Sequence, residues 1–211
     1  MEKSTFDKLV EEIQKDIPLK IAYKDEEKSL KYLIVSFIVN LFNKRFNEFT
    51  TTLYPTVYFP KRSMDYESLF MILAHEYVHL WDEKNHRFTF PLSYLMPQIL
   101  SLFSVFAILA IFSPWFLFFL LFLVFLIPWP SKWRTHWELR GYAMSINTRN
   151  WLNLPVSQKG LNSIVENFVN WNYYRMSWSK KSTLLKLMAY VDDTKNANKP
   201  YKVVKEILKD K

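Results

Sequence analysis

From Phe88 to Ser131 the chain runs for 44 residues without an Asp, Glu, Lys or Arg. All 28 basic and 20 acidic residues of the 211 lie outside this block. A stretch so long and so apolar must be covered either by lipid or by a protein core. Its apolar centre, Leu95 to Ile127, would reach roughly 50 Å as one α-helix, well beyond a ~30 Å hydrocarbon layer. Ser113-Pro114 divides it, because proline lacks the helical donor and its ring clashes with the preceding turn. The expectation is therefore two pieces, Tyr94–Phe112 and Trp115–Ile127, each at or below the ~17 residues needed to cross. They form a short helical hairpin inserted over residues 94–128, transmembrane or re-entrant. Tyr94, Trp115, Trp129 and Trp133 fall where interfacial aromatics are expected. A hairpin buried in a water-soluble core is the competing reading, but phenylalanines and leucines on every face of Phe116–Phe125 favour lipid.

The charges at either end of the block agree with a hairpin. Lys84 and Arg87 precede it, Lys132, Arg134 and Arg140 follow it, and its tip is uncharged. Both flanks are thus expected on the cytoplasmic side. Met1-Glu2-Lys3-Ser4-Thr5 has no basic-then-apolar leader, so export is not expected. The chain has no cysteine, which excludes a disulfide framework, Cys-ligated zinc and a Cys nucleophile. With 50% hydrophobic residues and only 2 glycines, disorder and low complexity are excluded as well.

The remainder reads as one α+β, mainly helical domain (1–211) interrupted by the insert. Phe6, Leu9, Val10 and Ile13 mark an amphipathic helix, and Leu19, Ile21 and Tyr23 alternate as a strand. A helix is expected over Leu30–Phe42. Thr51–Leu53 and Thr56–Phe59 read as strands around Tyr54-Pro55. Asp65 and Glu67 open a helix that continues through Leu80, and Glu138–Ile146 reads as another. Residues 150–211 form a helical, basic region, with nine lysines against four acids from Met176 onward. The net charge of +8 raises nucleic-acid binding, but no such motif accompanies it and none is expected. Lys180, Lys181, Lys186 and Lys199 suit anionic lipid headgroups equally well.

His75-Glu76-Tyr77-Val78-His79 is an H-E-x-x-H sequence on the helix after Asp65. Its two imidazoles stand one turn apart on one face and can reach a single Zn²⁺. Glu76 stands beside them, able to accept the proton of a water that the metal acidifies. A catalytic zinc normally has a third protein ligand. Asp82 shares the face of His79 but is crowded there, so it reads as a partner of His79 or a solvated acid; His86 and His136 adjoin the basic flanks. Glu138 is the strongest candidate. Gly141, one turn along its face, would let two helix backbones approach as a shared metal requires. Three ligands at one metal also demand that the chain between His79 and Glu138 return to the side it left, which again requires a hairpin.

His75-Glu76-x-x-His79, an apolar hairpin and then Glu138-x-x-Gly141-Tyr142 together resemble gluzincin metallopeptidases, in particular the HtpX-like and CAAX-prenyl-protease-like membrane group. The resemblance covers roughly residues 50 to 146. It implies a minimal gluzincin-like domain with an active-site helix and a small sheet. It further implies zinc held by His75, His79 and Glu138, with Glu76 as general base. Thr56, Val57, Tyr58 and Phe59 would be the edge strand that receives an extended peptide or protein substrate. The implied activity is peptide-bond hydrolysis by a membrane-anchored enzyme facing the cytoplasm.

Two departures accompany the resemblance. Tyr142 stands where the family has an Asp, and no His-Pro element follows, so the usual transition-state-stabilising histidine is missing. Tyr142 could hydrogen-bond a ligand, and Tyr173, Tyr174 and Arg175 could supply an oxyanion donor. The same departures suit a non-catalytic membrane module with a retained or degenerate metal site. Substrate preference and oligomeric state have no signal in the sequence.

Overall fold

The computed structural model describes residues 1–30, 32, 33, 36, 46–171, 175–192 and 198–209. Helix α1 (Lys3–Gln14) forms where the 3-4-7 spacing places it and buries Phe6, Leu9 and Ile13. Strands β1 (Lys20–Tyr23), β2 (Thr51–Leu53) and β3 (Thr56–Phe59) make a small mixed sheet of order β1-β3-β2. β3 pairs parallel with β1, Ile21 opposite Val57, and antiparallel with β2, Thr52 opposite Val57. This corrects the expectation for Thr56, Val57, Tyr58 and Phe59. Both hydrogen-bonding edges of β3 are used within the sheet, so it is not an edge strand, and Val57, Tyr58 and Phe59 are buried. The helix expected over Leu30–Phe42 lies for the most part outside the described residues.

Asp65 caps helix α2 (Tyr66–Asn85), its carboxylate accepting from the Ser68 amide at 2.8 Å. One face of α2 (Leu69, Phe70, Leu73, Tyr77, Leu80) closes the main core against Phe6, Leu9, Ile13, Val57 and Phe59. A short helix, α3 (Thr89–Leu95), follows. The chain then bends by 80° at Met96-Pro97 into two arms wound as 3₁₀ helices, Gln98–Ile111 and Pro114–Leu126. Phe103 meets Phe122 and Phe106 meets Phe119, so the arms run antiparallel. The hairpin thus exists, but its first arm begins at Gln98 rather than Tyr94, because Pro97 breaks the chain as Pro114 does.

No residue of Pro114–Leu126 is buried, and Trp115 at the tip is 87% exposed. The hairpin is therefore not enclosed by the chain's own core. Among the described residues no single helix is long and apolar enough to cross a membrane; α3 with the first arm passes by length and composition only as a bent pair.

Helix α4 (Lys132–Trp151) is capped by Ser131 and begins well before the expected start at Glu138. Glu138 therefore lies in its second turn, away from the helix end. Leu139, Ala143 and Ile146 of α4 form a second core with Val165 and Phe168 of α5 (Gln158–Val169) and Leu187 and Val191 of α6 (Lys180–Asp192). The basic tail does not trail away. Helix α7 (Lys199–Lys209) returns Val203, Val204, Ile207 and Leu208 to the main core and turns Lys202, Lys205 and Lys209 outward.

Candidate metal centre

Helices α2 and α4 pack together, and their facing residues follow helical spacing. His75, His79 and Asp82 project from α2; Glu138, Gly141, Tyr142 and Ser145 line one stripe of α4. The ligand atoms converge. His75 Nε2 and His79 Nε2 are 3.1 Å apart, and Glu138 Oε2 and Oε1 lie 3.8 and 3.9 Å from them respectively. His75, His79 and Glu138 are the one such His/Asp/Glu group among the described residues. Atoms that share a zinc at ~2.0–2.1 Å in a tetrahedron sit roughly 3.3 Å apart, so a modest closure of Glu138 completes the fit.

Gly141 explains how the helices come so close. A Cβ on Gly141 would stand 2.5 Å from His75 Nε2 and 2.7 Å from its Cε1. Ser145 fixes the tautomer of the same ring. Its hydroxyl donates to the Gly141 carbonyl (3.3 Å), so its oxygen accepts from His75 Nδ1–H (3.2 Å) and the Nε2 lone pair is left for a metal. His79 Nδ1 is buried and has no hydrogen-bond partner among the described residues. Burial, reinforced by His79, pushes the His75 imidazole down to about 3 despite Glu138. Burial and then Arg140 push His79 down to about 4. Both rings are therefore neutral near pH 7, the form that ligates.

Glu76 lies beside the group without joining it. Its Oε2 accepts from the Thr52 hydroxyl at 2.7 Å. Burial pushes its carboxyl up to about 7, with Glu138 adding to the rise and Thr52 and Lys24 opposing it. Lys24, buried just after β1, donates to Thr51 Oγ1 at 2.8 Å, and burial lowers its ammonium to about 8. A general base must be ionised to accept a proton, so with Glu76 in that role hydrolysis should fall as pH drops through its pKa. Lys24→Met removes a nearby cation that favours the carboxylate, and the acid limb of the kcat/KM–pH profile should move to higher pH. A limb that stays put or moves down would show that Lys24 does not act on Glu76.

The other expected residues divide. Tyr142 meets His75 with its ring, edge to face at 5.0 Å, while its hydroxyl accepts from Asn167 (3.2 Å). Arg175 is stacked between the indoles of Trp171 (4.4 Å) and Trp178 (4.3 Å), with no contact to the metal group. Tyr173 and Tyr174 lie outside the described residues. Asp82 corrects its expected roles as partner of His79 or solvated acid: it is buried and forms a two-point ion pair with Arg140, at 2.7 and 3.0 Å. His136 bonds Tyr190 and His86 meets Trp137 at a tilt, and neither joins the group of His75, His79 and Glu138.

Four contributors have little sequence signature. Thr52, Lys24 and Tyr94 are single residues in a strand, after a strand and within the apolar block. Only Ser145 had a readable cue, lying seven residues after Glu138 on the same helical face. Tyr94 Oη donates to Glu138 Oε1 at 2.5 Å, and its ring stacks on Phe90, which also faces His79. The expected interfacial residue is thus part of the wall of the candidate metal site. Comparison with known proteins gives no match: no family model, no curated protein and no solved structure matches the chain.

Proposed function

We propose that the chain is a membrane-anchored zinc metallopeptidase of gluzincin-like architecture, working at the cytoplasmic face. The observation that carries the reading is the meeting of His75, His79 and Glu138 across two helices with Glu76 alongside, on either side of an exposed apolar hairpin. The donor set of two neutral imidazoles and one carboxylate suits Zn²⁺. Zinc held there would supply Lewis acidity, polarising a carbonyl and lowering the pKa of a water.

The chain's own residues supply the rest. Glu76, held through one oxygen by Thr52, is placed to take a proton and return it to the leaving amine. Ser145 holds His75 by its far nitrogen, and Tyr142 packs on the same ring. β2 replaces β3 as the strand offered to substrate: among the described residues nothing pairs with its outer edge, and it carries the Thr52 that holds Glu76. An extended peptide added to that edge would run past the base.

Membrane anchoring is supported by the exposed hairpin and its positive flanks. The test is cleavage of an unfolded reporter protein by the full chain in lipid nanodiscs. Chelation should stop it and added Zn²⁺ restore it. A folded chain that binds zinc yet cleaves neither this reporter nor a broad peptide library would instead favour a non-catalytic membrane module.

A further inference from the structure

We propose that Tyr94 is a positioning residue for the metal and that it links the third ligand to the root of the apolar hairpin. The inference rests on the zinc-site reading above. Glu138 reaches the site on a side chain with several rotatable bonds, which without a partner would sample geometries that miss the metal. The Tyr94 hydroxyl holds Oε1 at 2.5 Å and leaves Oε2 toward His75.

The phenol is itself fixed from two sides. Its ring stacks on Phe90 at 5.7 Å, and the Arg134 guanidinium lies over it at 5.3 Å. Arg134 sits one turn before Glu138 on α4 and is 3% exposed. Its Nε donates to the Tyr94 carbonyl (2.8 Å) and its Nη2 to Gln98 Oε1 (2.7 Å). Gln98 opens the first arm of the hairpin, and its amide donates to the Ile127 carbonyl just past the second arm (3.3 Å). A continuous set of contacts therefore runs from both feet of the hairpin through Gln98, Arg134 and Tyr94 to Glu138. A displacement of the hairpin root moves the phenol, and the phenol moves the ligand.

Partners that orient a metal ligand are commonly worth ~10–100-fold in metal affinity. The experiment uses the full chain in nanodiscs, titrated with Zn²⁺ against a chromophoric chelator, and with Co²⁺ as a spectroscopic probe. Tyr94→Phe keeps the ring and removes only the hydroxyl. It should weaken Zn²⁺ by about 10–100-fold and shift the Co²⁺ d–d bands. In a Glu138→Ala background the same change should have no further effect, because Tyr94 acts through that carboxylate. Gln98→Ala, remote from the metal, should weaken Zn²⁺ severalfold, and it carries the test by itself should Tyr94→Phe not fold. Unchanged affinity in both variants, or an equal loss with and without Glu138, would overturn the proposal. A wild-type chain that binds no Zn²⁺ would overturn the site reading on which it depends.

Discussion

Glu76→Gln is expected to abolish peptide-bond hydrolysis while leaving the metal in place. Glu76 is outside the ligand group, so its replacement removes no metal bond. The Gln carbonyl oxygen can still accept from Thr52, which holds the native carboxylate at 2.7 Å, and the side-chain volume is conserved. What is lost is the ability to take up a proton. Positioned acid–base groups contribute roughly 10²–10⁴-fold to rate, and the loss should fall on kcat more than on KM. Parallel measurement of turnover and zinc content decides the matter. A variant of full activity would refute Glu76 as the base; one that loses zinc as well would show that it supports the ligands.

Gly141→Ala should have an effect of comparable size on the metal. In an ordinary helix interior this substitution stabilises by about 0.5–1 kcal/mol, because alanine loses less backbone freedom. Here the added methyl would stand 2.5–2.9 Å from three atoms of the His75 ring. The ring cannot simply turn away, since Ser145 holds Nδ1 and the Tyr142 ring packs against it nearly perpendicular. Either α2 and α4 separate or His75 Nε2 leaves the group, and overpacking of this kind costs about 1–3 kcal/mol. The overpacking cost exceeds the propensity gain, so zinc affinity should drop by at least ~10–100-fold, the range for loss of a ligand's support. Isothermal titration with Zn²⁺ measures it. Wild-type affinity in Gly141→Ala would contradict the close helix contact at the centre of the site.

Most of the candidate site's membership was legible because it rests on local spacing. His75, Glu76 and His79 share one helix and Glu138 and Gly141 share another, so helical spacing grouped each set, and the glycine and the family resemblance pointed to Glu138 as the partner of the histidines. What escaped depends on contacts between distant segments. The identity of the central strand is a pairing choice: Thr51–Leu53 and Thr56–Phe59 alternate alike, and only the parallel partner β1 decides that β3 is interior. Tyr94 read as an interfacial aromatic because the break at Met96-Pro97 left no mark in hydropathy, yet it sends the chain off at 80° and leaves Tyr94 facing Glu138. Asp82 looked like a partner for His79 by its three-residue offset. The partly buried Arg140 on the facing helix took it instead, because the buried Asp82 carboxylate would be costly left unpaired. The mainly helical fold with a small sheet followed from periodicity. The return of α7 to the main core did not, because its lysines dominate the composition of a helix whose buried face is Val203, Val204, Ile207 and Leu208.

The central claim is that His75, His79 and Glu138 hold one zinc. Elemental analysis of the purified full chain, alongside Glu138→Ala, tests it most directly. The account expects about one zinc per wild-type chain and a large loss in the variant. A folded wild-type chain without zinc, or a variant that retains it fully, would contradict the account.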